Sequence, residues 1–283
     1  MKITVLSVIT VVLVCIAACA GLFYSSGGEP RVVESIHGET VELFGDGVYA
    51  NNSTFTATIR KGSDLAMLFV SVGLLAVTLK RNTGHKMKLA HGGLLASVLY
   101  YAATTAFETV YNQLFLLYLC MFSAAFFAFV FTVIDLRGTI RPPGKNGKHT
   151  KTAVFTMIAG CTVLIWLMDV IPGILTGTPP GFISIYTTSP TIIIDIGLIL
   201  PSCALSGVML MQKKPMGYIL PPIMLAFLSV IAVTVVGQTA VQMAYGINIP
   251  IHQLIGYVGS FAVFGFIAAV VNIRFMLKRW PKC

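Results

Sequence analysis

Runs of apolar residues, each about 20 long and separated by short polar stretches, recur from one end of this chain to the other. A helix of that length crosses the ~30 Å hydrocarbon layer of a bilayer. Inside lipid the backbone must satisfy its own hydrogen bonds, so only helices and closed barrels can span it. The runs here are continuous and lack the alternation of barrel strands. They predict an all-α membrane protein, an eight-helix transmembrane bundle with a small extracytoplasmic β-meander or hairpin between helices 1 and 2. Only 10% of the 283 residues are charged and 56% are hydrophobic, which excludes a soluble domain.

Residues 1–24 form the first span, with Lys2 alone ahead of it. It reads as a signal-anchor that stays in the membrane. Ile16-Ala17-Ala18-Cys19 has the form of a lipoprotein-processing box, which is the alternative for the same stretch. Residues 25–62 are the one sizeable polar segment. VVESIHG, ETVELFGDGVY and STFTATIRKG are rich in β-branched residues and punctuated by glycine, so they predict an extracytoplasmic β lid. Residues 63–283 then hold seven further spans, over Ser63–Leu79, Met87–Phe107, Leu114–Ile134, Thr152–Ile171, Thr191–Met211, Pro222–Tyr245 and Gln253–Phe275.

The charges orient the bundle. Sixteen of the 19 lysines and arginines fall in the termini and in alternate connections such as KRNTGHKMK and DLRGTIRPPGKNGKHTK; Arg31, Arg60 and Lys61 fall on the other side. Basic loops stay in the cytoplasm. Both termini are therefore expected inside a multi-pass plasma-membrane protein, with the lid outside. The net charge of +9 is a topology signal and calls for no nucleic-acid partner. The six cysteines form no CxxC pair, which speaks against a zinc site or a thiol redox centre. No HExxH, Walker A, GxSxG or GxGxxG element is present, and neither a cofactor nor a metal is expected.

An ionisable side chain at membrane depth is expensive and faces the protein interior or water. Asp195 lies about one helical turn into the sixth span with no lysine or arginine at its level. Glu108 and Asp169 lie at span ends on the lid side, and Glu108 opposes the dipole of its own helix terminus. Helical spacing lines up Ser97, Tyr101, Thr104 (or Thr105) and Glu108 in the third span, Thr162, Trp166 and Asp169 in the fifth, and Asp195, Ser202 and Ser206 in the sixth. The seventh carries Thr234, Gln238 and Gln242, and the eighth opens with His252. Polar faces should turn toward one another in lipid. They predict an outer pocket with Asp195, Glu108, Asp169, Tyr101, Gln238, Gln242, His252 and Asn112 as ligand-binding residues. Pairing of Arg60 or Lys61 with an acid such as Asp64 would instead make the cluster a latch for the lid. Capping of a helix at Ser63 explains Asp64 equally well. Pro201 frees the Gly197 carbonyl and predicts a kink.

GDGVY (Gly45–Tyr49), YNQLFLLY (Tyr111–Tyr118), SPTIIIDIGLILP (Ser189–Pro201) and KKPMGY (Lys213–Tyr218) resemble stretches of an uncharacterised group of prokaryotic multi-spanning membrane proteins. No activity is attached to that group. The resemblance implies only the same arrangement of lid, bundle and acid near the start of the sixth span. Three functions stay open on the sequence. The first is non-enzymatic binding of a small cation, protonatable solute or lipid group, in transport, sensing or an accessory subunit. The second is a membrane enzyme using the outer carboxylates on a lipid-linked or extracytoplasmic substrate. The third is an assembly role with membrane lipids around the bundle and a protein partner on residues 25–62.

Overall fold

In the computed structural model, residues 2–139 and 149–277 are described. They form eight helical rods, and seven of these are long and apolar enough to cross a membrane. Helix α1 is Lys2–Phe23, α2 is Thr54–Lys80, α3 is His85–Glu108 and α4 is Phe115–Thr139. Three later rods are interrupted. In the first, α5 (Thr150–Gly160) runs through a 3₁₀ segment at Cys161–Trp166 into α6 (Leu167–Thr176). In the second, α7 (Pro190–Ile194) passes through a π-helical turn at Asp195–Ile199 into α8 (Leu200–Met211). Then come α9 (Leu220–Ala244) and the third, in which α10 (Ile251–Gln253) leads through a π-helical segment at Leu254–Gly259 into α11 (Ser260–Leu277).

Helix α3 is the rod outside that set of seven. It sits inside the bundle, against α4, α9 and α2, and devotes its length to buried polar and small residues such as His91, Ser97 and Thr105. The bundle centre is α9, whose most apolar stretch is 56% buried, against 17% for the span containing α11. Small residues allow close approach: a Cβ on Gly62 of α2 would lie 2.4 Å from the Gln238 Cα of α9. One apolar core joins α1, α2, α3 and α4, and a second joins α8, α9 and α11.

The polar segment differs from expectation. It folds as a two-stranded antiparallel hairpin, β1 (Arg31–Glu34) on β2 (Thr40–Leu43), with Arg31 opposite Leu43 and Glu34 opposite Thr40. The third β-rich stretch, STFTATIRKG, is helix instead. The Ser53 hydroxyl caps α2 by accepting from the Thr56 N–H at 3.3 Å, and Thr58 turns its hydroxyl back onto the Thr54 carbonyl at 3.0 Å. Helix α2 thus starts nine residues before the expected Ser63, because packing overrides the weak strand preference of its threonines. Arg60 and Lys61 consequently belong to a bundle helix and not to the lid. Arg141, Lys145, Lys148, Lys278, Arg279, Lys282 and Cys283 lie outside the described residues.

The hairpin is tied down at several points. Asn112 donates to the Val48 carbonyl at 2.9 Å, and Phe44 packs edge-on against Tyr245 with ring centroids 5.8 Å apart. Asn52 donates to the Tyr186 hydroxyl at 2.8 Å, and the His37 ring meets the Tyr186 carbonyl at 3.0 Å. Asp46 closes the loop ahead of the hairpin, accepting from the backbone N–H of Ser26 at 2.7 Å and of Gly27 at 3.0 Å. The Ser26 N–H, helped by the Ser25 and Ser26 hydroxyls, holds its carboxyl at about 2, below the usual range.

Candidate functional site

The acids expected to share one pocket divide into three groups at the hairpin end of the bundle. Asp64 is fully buried in the third turn of α2. The Tyr49 hydroxyl donates to its Oδ2 at 2.8 Å and the Tyr101 hydroxyl to its Oδ1 at 2.6 Å. It caps nothing, which corrects the capping expectation, and Tyr101 serves this carboxylate. Lys61, one turn earlier, makes no ion pair among the described residues. Its ammonium donates to the Gly21 carbonyl at 2.9 Å and the Leu22 carbonyl at 3.5 Å, closing the end of α1, and lies 5.4 Å from the centre of the Phe44 ring.

Glu108 forms the second group. It pairs with the Arg60 guanidinium and accepts from the Thr191 hydroxyl at 2.9 Å. Arg60, almost fully buried, also donates to Thr104 at 3.1 Å. The cation resolves the conflict between Glu108 and the negative end of its helix. The Arg60–Glu108 pair joins two bundle helices, α2 and α3, and is not the expected latch for the lid.

Asp195 and Asp169 make the third group. Asp195 is 6% exposed. The Tyr100 hydroxyl donates to its Oδ1 at 2.9 Å and the Trp166 indole N–H to its Oδ2 at 2.9 Å. Trp166 stacks on Tyr257, with centroids 5.5 Å apart and planes 28° from parallel, and the Tyr257 hydroxyl donates to Asp169. Asp195 and Tyr257 both sit in π-helical segments, and Trp166 ends the 3₁₀ segment. The π turn lies just before Pro201, with the Leu200 N–H donating to the Asp195 carbonyl. Thr191, four residues before Asp195 in the same rod, donates to Glu108, so this rod touches both the second and the third group.

The remaining expected ligand residues stand apart. Gln238 donates to Ser63 at 2.7 Å, bonding α9 to α2. Gln242 is buried with its Nε2 unpartnered among the described residues. Asn112 fixes the turn before α4, accepting from the Leu114 N–H at 2.8 Å. His252 is exposed at the start of α10 and shares no hydrogen bond with these groups among the described residues. The hydroxyl stripes are mostly self-satisfied: Ser97, Ser206 and Thr234 each bond the carbonyl four residues back.

A cavity of about 430 Å³ opens between α6, α7 and the loop joining them. Its walls are mostly apolar, with Val170, Gly173 and Ile174 on one side, Ile192 on the other and Phe182 and Ile183 above, and Thr188 and Ser189 add two hydroxyls. Helical spacing extends both walls downward: Trp166 lies four residues before Val170, and Asp195 three after Ile192. The two faces converge on the Trp166–Asp195 hydrogen bond one turn below the lining. The roof loop is the one that Asn52 and His37 grip through Tyr186.

The tyrosines 49, 100 and 257, with Thr191 and Trp166, were not among the expected site residues. Thr191 was legible from its spacing to Asp195, and Trp166 from its line with Asp169. The tyrosines carried no such signal, since adjacent Tyr100 and Tyr101 serve different carboxylates on different helices.

The chain matches no protein family, no curated protein and no solved structure.

Proposed function

We propose that this chain is a multi-pass integral protein of the plasma membrane that binds a small solute bearing a cationic or protonatable group at Asp195, without catalysis. In this reading all eight rods span the membrane, α3 among them, its polar faces covered by its neighbours. The excess of basic residues at the opposite end puts both termini in the cytoplasm and the hairpin outside. The protein would then work as a transporter, a sensor or an accessory subunit.

One observation carries the site. Glu108 is paired with Arg60, and Asp64, held by the Tyr49 and Tyr101 hydroxyls, has Arg60 and Lys61 near enough to act on its charge. Asp195 is equally enclosed, but its partners are a phenol and an indole, and among the described residues no cation pairs with it. A buried carboxyl so placed is compensated by a proton or by a bound cation. That division assigns a structural role to Arg60, Lys61, Asp64 and Glu108 and leaves Asp195 for exchange with a ligand.

The test is thermal unfolding in lipid nanodiscs over a probe panel of Na⁺, K⁺, alkylammonium salts and pH 5 to 8. At least one probe should raise the Tm of the parent protein and leave that of a folded Asp195→Asn variant unmoved. Equal shifts in both proteins, or none in either, would remove the assignment.

A further inference from the structure

We propose that the cavity between α6 and α7 takes an organic ammonium ion with an apolar body, its head seated against the Trp166 indole. The inference rests on the assignment of Asp195 and narrows its ligand.

The walls set the body. Val170, Ile174, Phe182, Ile183 and Ile192 offer hydrocarbon and aromatic surface, and the side-chain oxygens of the lining are the two hydroxyls of Thr188 and Ser189, too few to replace the shell of a hydrated inorganic ion. The volume of about 430 Å³ suits a small organic molecule.

The foot sets the head. An indole that donates its N–H to a carboxylate gains electron density on its ring, and a ring face attracts a cation. Tyr257 covers one face of Trp166 by stacking, and the proposed head sits against the other, one turn below the residues that line the cavity. Asp195 stands behind the indole N–H at 2.9 Å, and Asp169, half-buried, directly precedes the lining residue Val170. Both carboxylates have neutral donors as partners, so a cation over the ring meets net negative charge from both. Among the described residues no group of histidine, cysteine and acidic side chains is arranged to hold a metal ion, so oxygen-rich coordination has no framework here.

The chain has two tryptophans, so a Trp280→Phe background leaves Trp166 as the sole indole reporter. Octyltrimethylammonium is titrated against this protein in nanodiscs, with octylsulfonate, the neutral carbon isostere 2,2-dimethyldecane and NaCl as comparators. The expected result is saturable quenching of Trp166 fluorescence by the ammonium alone. Asp195→Asn should weaken it at least tenfold, and Asp169→Asn, the second variant, severalfold. Equal responses to the isostere or the sulfonate, or an ammonium affinity unchanged in both variants, would overturn the inference. Stabilisation by Na⁺, K⁺ or protons that depends on Asp195, with no ammonium response, would overturn it and leave the assignment of Asp195 standing. Failure of every probe removes both.

Discussion

Gly21 is where one missing side chain decides the most. A Cβ at that position would lie 1.9 Å from Asp64 Oδ2 and 2.9 Å from the Tyr49 hydroxyl oxygen. The neighbours cannot yield without breaking two hydrogen bonds to a buried carboxylate. Gly21→Ala is therefore expected to destabilise the protein by about 1–3 kcal/mol, the usual cost of overpacking, read as a fall in Tm in detergent. Asp46 is the residue whose titration the hairpin should report. Its pKa is lowered from 3.8 to about 2, so the carboxylate's hold on the loop is fully present above the ordinary value and lost as pH falls through about 2. Pepsin cleavage near Leu43 and Phe44 should accelerate across that window in the parent protein. In Asp46→Asn it should already be fast at its upper edge, and identical profiles would contradict the account.

At the scale of elements, α2 and α3 are joined by charge as well as by packing. Arg60 and Glu108 are both largely enclosed, with side-chain exposures of 4% and 15%. Removing one partner strands the other: Arg60→Met should cost about 3–5 kcal/mol. The double replacement Arg60→Met/Glu108→Leu leaves no stranded charge and should recover most of that loss. Unfolding in mixed micelles reads both variants, and a double variant no better than the single would show that the pair does more than balance charge. The interrupted rods behave differently. Their 3₁₀ and π segments bring Trp166, Asp195 and Tyr257 to one place, which regular helices over the same residues would direct elsewhere, since one inserted residue rotates the remainder of a helix by about 100°.

For the whole molecule, the uneven burial of the spans separates a firm part from a loosely held one. The span around α9 is 56% buried, whereas those containing α6, α7 and α11 are 22%, 28% and 17% buried. The cavity and its foot belong to the loosely held spans, whereas Arg60 and Glu108 lie on α2 and α3, which pack against α9. Orientation is testable on the same scale. In a variant without native cysteines, Glu39→Cys in the hairpin turn should react with an impermeant maleimide on intact cells, and Asn82→Cys between α2 and α3 only after lysis. The reverse pattern would invert the topology.

Chain order alone was enough to place most of the helices. Apolar length sets where rods long and apolar enough to cross a membrane run, and Pro190–Met211 and Leu220–Ala244 fall within a residue or two of their expected limits. Asp195 was also legible, because a carboxyl in an apolar run stands out without any fold. The start of α2 was not, since strand-forming threonines at its beginning are overruled by contacts with helices distant in sequence. Nor was the division of the acids. Whether a buried carboxylate meets a guanidinium, a pair of phenols or an indole depends on which faces of separate helices come within about 3 Å of one another. Hydrogen bonding acts only over that range, so the three-dimensional packing assigned Arg60 to Glu108 and left Asp195 with Tyr100 and Trp166.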